Sequence, residues 1–238
     1  MHEELRDMDK GAKAKRKGAP VRRRLITICS PKGGVGKTTI ARTLLVGAGQ
    51  AGLSAIGLDF DWQQSLTKWA IYRQETIDAL PSENITAVTS HPYTLSEWRE
   101  ALARFADNDL IVADTAPGVE ANFPAIRGLC GAADIVLVPV GDGRDDLDSV
   151  LPWMKELVEA GIKAFFVMNK VNRRFNSFQK SRTKLLKIGP LCPIELAQLE
   201  EIKTQVDNGL ICLDLAVSKG KEAMEGIWMF AQREANLR

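Results

Sequence analysis

One stretch constrains this 238-residue chain more than any other: Lys32-Gly33-Gly34-Val35-Gly36-Lys37-Thr38-Thr39. It follows a short apolar run, residues 25–29, that reads as a strand. It opens an amphipathic run, residues 38–50, that reads as a helix with Gly52 past its end. A strand that passes through clustered glycines into a helix, with Gly-Lys-Thr at the junction, has the layout of a phosphate-binding loop. Glycines let backbone N–H groups come close to anionic oxygens. The unpaired N–H groups and dipole of the helix start favour the same charge. Lys37 suits the β and γ phosphates of a nucleotide, and the Thr38 hydroxyl suits Mg²⁺. The loop is a variant, because Pro31 stands at the first glycine of the general pattern and a second lysine, Lys32, follows it.

The rest of the chain repeats the alternation. Further strands are expected at 55–58, ending at Asp59, at 85–89, at 110–113, ending at Asp114, at 135–140 and at 164–168. Helices are expected at 65–79, from the capping box of Thr94 and Glu97 onward, and at about 145–160, 175–187, 198–208 and 219–235. Parallel strands need helical crossovers, so this order predicts an α/β fold with a doubly wound, mostly parallel sheet flanked by helices. Residues 25–238 read as one domain. Residues 1–24 read as a disordered basic arm, since they are charged and lack apolar periodicity.

Carboxylates at strand ends complete the expected site. Asp114 closes an apolar strand, where a magnesium-holding aspartate belongs. Asp59 and Asp61 follow another strand.

Charge is unevenly spread. The formal net charge is only +2. Yet residues 10–24 and 169–187 carry many lysines and arginines and no acid, which suggests a local contact with a polyanion. No apolar run approaches the roughly 18 residues of a membrane helix. The N-terminus resembles neither a secretory signal nor a transit peptide. Cys29, Cys130, Cys192 and Cys212 form no C-x-x-C pair and read as reduced core thiols of a cytoplasmic protein.

These motifs carry a resemblance. Lys32 to Thr39 looks like the deviant Walker A motif of the ParA/MinD superfamily of P-loop ATPases. Asp59-Phe60-Asp61-Trp62-Gln63, followed by Ser65-Leu66-Thr67-Lys68-Trp69, is similar to small ParA partition proteins of the ParF type. Asp114-Thr115-Ala116-Pro117-Gly118 resembles the switch segment, and Asn169 sits where the family places an adenine-contacting asparagine. The resemblance implies an ATP site made by Gly33, Gly34, Val35, Gly36, Lys37, Thr38, Thr39 and Asn169, with Mg²⁺ on Thr38 and Asp114. It implies that Lys32 crosses to the ATP of a partner subunit and that Asp61 orients the attacking water. It further implies an ATP-dependent homodimer and a ParB-like or adaptor partner that stimulates hydrolysis.

Such an ATPase would bind nonspecific DNA and segregate or position a plasmid, chromosome or other cargo, cytoplasmic and nucleoid-associated. The second basic stretch offers Arg173, Arg174, Lys180, Arg182, Lys184 and Lys187 for that DNA, with Phe175 and Phe178 expected to face the core. The alternative is a MinD-like membrane-positioned regulator. It would need a C-terminal amphipathic helix, whereas Met224, Ile227, Trp228, Met229 and Phe230 read more simply as a packed last helix. Four departures from the family stand out: Trp62 in place of Pro, Gln64 in place of Gly, Ala116 in place of Pro, and the Gly141-Asp142-Gly143-Arg144 stretch.

Overall fold

Residues 23–237 are described by a computed structural model. Arg23 and Arg24, expected at the end of the arm, are tied to the domain. Arg23 donates to the Leu102 carbonyl at 2.7 Å, and Arg24 pairs with Asp134 at 2.8 Å. The remainder of the arm lies outside the described residues.

The sheet is formed by β1 (Arg24–Ile28), β2 (Ala55–Phe60), β3 (Thr89–Pro92), β4 (Leu110–Thr115), β5 (Ile135–Val140) and β6 (Ala164–Met168). The spatial order is β3-β2-β4-β1-β5-β6, with every pairing parallel. The helices are α1 (Lys37–Gln50), α2 (Ser65–Ala79), α3 (Trp98–Arg104), α4 (Phe123–Ala132), α5 (Arg144–Glu159), α6 (Asn176–Leu186), α7 (Glu200–Val206) and α8 (Lys221–Glu234).

Strand alternation sends successive side chains to opposite faces. Ile26, Ile28, Leu110, Val112, Ile135 and Leu137 meet α1, α2 and α8 on one face. Val136, Val138 and Val140 meet α4, α5 and α6 on the other, beside a cluster of Ile111 and Ala113 with α3. A sheet covered on both faces is what continuous apolar strands require. The last helix packs as expected. Met224, Ile227, Trp228 and Phe230 are buried, and Trp228 lies so close to Gly47 that a Cβ there would sit 2.6 Å from its ring. No helix among the described residues is long and apolar enough to cross a membrane. All four cysteines are buried and free.

Three expectations need correction. The third strand spans Thr89–Pro92 rather than 85–89. Residues 85–88 instead run past the helices: the Thr86 carbonyl accepts from Arg73 at 2.7 Å, and its methyl abuts Gly49. Helix α4 was not anticipated. Phe175 is 60% exposed, because it stands in the turn before α6, whereas Phe178, inside the helix, is buried as expected. The capping box forms, with Glu97 accepting from both the Thr94 backbone and hydroxyl. It caps a short 3₁₀ turn, Leu95–Glu97, that runs into α3.

Candidate nucleotide-binding site

The strand order reverses about β1, with β2, β3 and β4 on one side of it and β5 and β6 on the other, and the loop at its carboxyl end lies in the resulting crevice. Doubly wound sheets bind ligands at such a point. Gly34 and Gly36 hold φ of 73° and 93°, the left-handed region that suits glycine. Gly36 precedes α1 with no capping side chain, and no acid occupies the first turn, so the N–H groups of the helix start have no competing acceptor from either source.

Side chains hold the loop from behind by its carbonyls. Lys37 is buried and donates to the carbonyls of Ser30 at 3.3 Å and Lys32 at 3.0 Å. Burial lowers its pKa, opposed by the nearby Asp114 carboxylate. Asn169 donates to the Val35 carbonyl at 2.8 Å, and Lys170, itself at φ 56°, donates to the Gly34 carbonyl at 2.6 Å. With its carbonyls occupied in this way, the loop can turn its N–H groups toward an anion.

The carboxylates divide their work. Asp59, buried at the end of β2, accepts from the backbone N–H groups of Asp61, Leu66 and Thr67, so it anchors the start of α2. Asp61 is only half-buried and accepts from the Gln63 N–H at 3.0 Å. Asp114 lies in register with both Ile28 and Asp59. Its pKa is pushed up to about 7, first by burial and also by Asp59, against the opposing hydrogen bond from Thr38 and the charges of Lys37 and Arg42. One of its oxygens, Oδ1, is buried with no hydrogen-bond partner, and so is the Ser30 hydroxyl.

An orphaned buried carboxylate beside a threonine hydroxyl and a buried ammonium fits a magnesium nucleotide. Among the described residues no cluster of three or more His, Cys, Asp or Glu side chains could hold a metal. Mg²⁺ takes one or two protein ligands and completes its shell with water and phosphate.

Three residues of this site were not singled out from sequence. Lys170 is one. Arg42, 8% exposed, reaches from α1 to the Ser65 carbonyl at 3.0 Å and stacks on Trp69. Burial lowers its pKa to about 10 despite Asp114 and Asp59. Its signal was a lone arginine amid Ile40, Ala41, Leu44 and Leu45. Asp146, in the first turn of α5, is the third. It pairs with Lys32 at 2.8 Å, and this hydrogen bond raises the Lys32 pKa. A cavity of about 520 Å³ beside the loop is lined by Thr39, Arg42, Asn169, Gln198 and Lys203, so Asn169 borders a space able to receive a base. Its amide is already shared between Val35 and the Lys170 N–H.

The switch-like segment closes over the loop. Thr115 donates to the Ile28 carbonyl at 3.0 Å, the Gly118 N–H to the Pro31 carbonyl at 2.7 Å, and Pro117 comes within 3.8 Å of where a Gly33 Cβ would lie. Arg173, Arg174, Lys180, Arg182, Lys184 and Lys187 are all exposed. Arg173 is also paired with Glu195 at 2.6 Å.

Residues 26–211 match the family described as the CobQ/CobB/MinD/ParA nucleotide binding domain. The chain belongs to this family. No curated protein matches the sequence. Solved structures resemble the fold at low identity. The septum site-determining protein MinD of Pyrococcus horikoshii, complexed with Mg-ADP, is 18% identical with a TM-score of 0.69, over 88% of this chain and 96% of that one. A putative plasmid partition protein of Borrelia burgdorferi, bound to AMPPNP, is 17% identical with a TM-score of 0.68, over 90% and 99%. A substituted McdA of Cyanothece in complex with ATP is 15% identical with a TM-score of 0.66, over 91% and 98%. This member of the family therefore shares its P-loop fold, a wholly parallel sheet between two helical layers.

Proposed function

We propose that this family member is a ParA-type, Mg²⁺-dependent ATP hydrolase that pairs with a second copy on ATP, binds nonspecific DNA and positions a cargo. The observation that carries the reading is the cradle built by Gly34, Gly36, Lys37, Thr38 and Asp114, with a second lysine, Lys32, at its rim. Backbone N–H groups from Gly33 to Thr39 would bind the phosphates, Lys37 would offset their charge, and Asn169 would border the base. Mg²⁺ held by Thr38 and Asp114 would neutralise charge developing between the β and γ phosphates. Asp61, half-buried and near enough to Lys37 for its charge to oppose the lowering of that pKa by burial, would orient the attacking water. Lys32, at the rim rather than in the floor, would serve the nucleotide of a partner subunit.

DNA binding would use Arg173, Arg174, Lys180, Arg182, Lys184 and Lys187, helped by residues 1–24. Arg173 must exchange Glu195 for phosphate to take part. A partner of the ParB or adaptor kind would stimulate hydrolysis and release the dimer. Burial of Met224, Ile227, Trp228 and Phe230 in α8 favours this reading over the MinD-like membrane one.

DNA co-sedimentation with ATP, with ADP and without nucleotide tests the reading. Binding should require ATP and ignore sequence. Replacing Arg173 and Arg174 with alanine should reduce the slope of log K against log salt by about 0.9 for each phosphate that is no longer neutralised, while ATP binding survives. Equal affinity with ADP and ATP, or a slope unchanged by the substitutions, would reject this surface as a nucleotide-switched DNA site.

A further inference from the structure

The five tryptophans divide into two groups. Trp69, Trp98, Trp153 and Trp228 are 1%, 8%, 4% and 8% exposed, whereas Trp62 is 79% exposed. Trp62 stands in the turn between β2 and α2, next to Asp61 and two residues before Gln64, which is held at φ 53°. It borders a cavity of about 610 Å³ walled by Phe60, Tyr93, Leu95, Pro117, Val119 and Ile126. Among the described residues, Asp61 is the only charged one in that lining. The walls come from both segments that follow the candidate carboxylates, so the shape of the cavity depends on how those segments sit around a nucleotide.

An exposed indole beside an apolar cavity is unfinished surface, since soluble chains seldom leave such patches without a use. We infer that Trp62 and this cavity form the apolar anchor by which a second copy of this chain docks. The inference rests on the dimer of the proposed function. Pro117 belongs to the cavity wall and also lies within 3.8 Å of where a Cβ on Gly33 would be, so the patch adjoins the loop that carries Lys32. A two-fold contact that carries Lys32 to the partner's loop brings this patch to the same interface. A two-fold interface uses the same surface on both subunits. Each protomer then supplies a protruding indole and a receiving cavity. Tryptophans that insert into apolar pockets are the side chains that most often dominate binding energy.

Four of the tryptophans are buried, so acrylamide quenching reports mainly on Trp62, and an emission change belongs to it where Trp62→Phe abolishes that change. The wild-type chain is mixed with Mg²⁺ and a non-hydrolysable ATP analogue. Emission and acrylamide quenching are read over a range of protein concentrations, beside analytical ultracentrifugation. The emission should move to the blue and quenching should fall in step with the dimer fraction. Trp62→Ala should keep the affinity for a fluorescent ATP analogue and weaken the dimer at least about tenfold; Trp62→Phe should recover part of that loss. A wild-type chain that stays monomeric with the analogue overturns the dimer reading itself. A dimer in which Trp62 stays quenchable, or a Trp62→Ala chain that dimerises as tightly as wild type, overturns only the anchor. A blue shift independent of protein concentration assigns Trp62 to local closure and overturns it too. Protection that appears only when another protein is added gives the patch to that partner, with the same result.

Discussion

Replacing Gly36 with alanine isolates how the phosphate loop is built. Gly36 sits at φ 93° and ψ 30°, where a side chain costs about 1–2 kcal/mol. A Cβ there would also lie 1.8 Å from the Asn169 side-chain nitrogen, the atom that donates to the Val35 carbonyl. Asn169 must leave, and a buried polar group without its partner costs about 1–3 kcal/mol. The expected loss is about 3 kcal/mol, a large part of the ~5–15 kcal/mol that holds a typical domain together. Gly34 supplies the control: its φ is 73°, yet nothing lies within 4 Å of its would-be Cβ. Gly34→Ala should therefore show the backbone cost alone. Urea denaturation measures both, and a fluorescent ATP analogue shows whether the loop still binds. In the double variant Gly36→Ala, Asn169→Ala the collision is gone, so the combined loss should fall short of additivity by about 1–2 kcal/mol. Equal losses for Gly34→Ala and Gly36→Ala, or strict additivity with Asn169→Ala, would refute the clasp between Asn169 and the loop.

Asp61→Ala should retain ATP binding and slow hydrolysis by about 10²–10⁴, because its carboxylate is half-exposed beside the site and holds only the Gln63 N–H; unchanged turnover would make it structural. Arg73→Met should cost about 3–5 kcal/mol in denaturation without changing nucleotide affinity. Arg73 and Asp214 are 0% and 3% exposed and joined at 2.6 Å, and the substitution strands a buried carboxylate. A loss below about 1 kcal/mol would contradict that account.

What could be read from sequence follows the range of the interactions. The loop, its flanking strand and helix, and the strand ends carrying Asp59 and Asp114 are local patterns, and each appears within a few residues of its expected place. Helix α4 escaped because Phe123-Pro124 opens it and Gly128 and Gly131 weaken its helical signal. The structure explains one of those glycines: a Cβ at Gly128 would lie 3.0 Å from the Trp98 ring, a contact made across 30 residues. The apolar residues at 85 and 88 suggested a strand, but the register with β2 begins only at Thr89. Lys170 and Asp146 gave no pattern, and the lone arginine at 42 amid apolar residues did not say what it meets, because each finds its partner through the fold: Gly34, Lys32 and Ser65 lie 136, 114 and 23 positions away. Asp59 and Asp61 look alike in sequence. Only the three backbone donors around Asp59 separate the anchor from the candidate catalytic group.

The pairing of Lys32 with Asp146 has an arithmetical consequence for assembly. A lysine held by its own subunit is unavailable to another, so the apparent affinity scales with the fraction of the time it is free. In the dimer proposed above, both lysines would have to be free at once, and the fraction would then enter squared. If each ion pair is closed about nine times in ten, about one encounter in a hundred meets two open lysines. Small changes around Asp146 would then act on the proposed dimer with doubled exponent, which would make the first turn of α5, rather than the nucleotide cradle, the place where its onset could be set most finely.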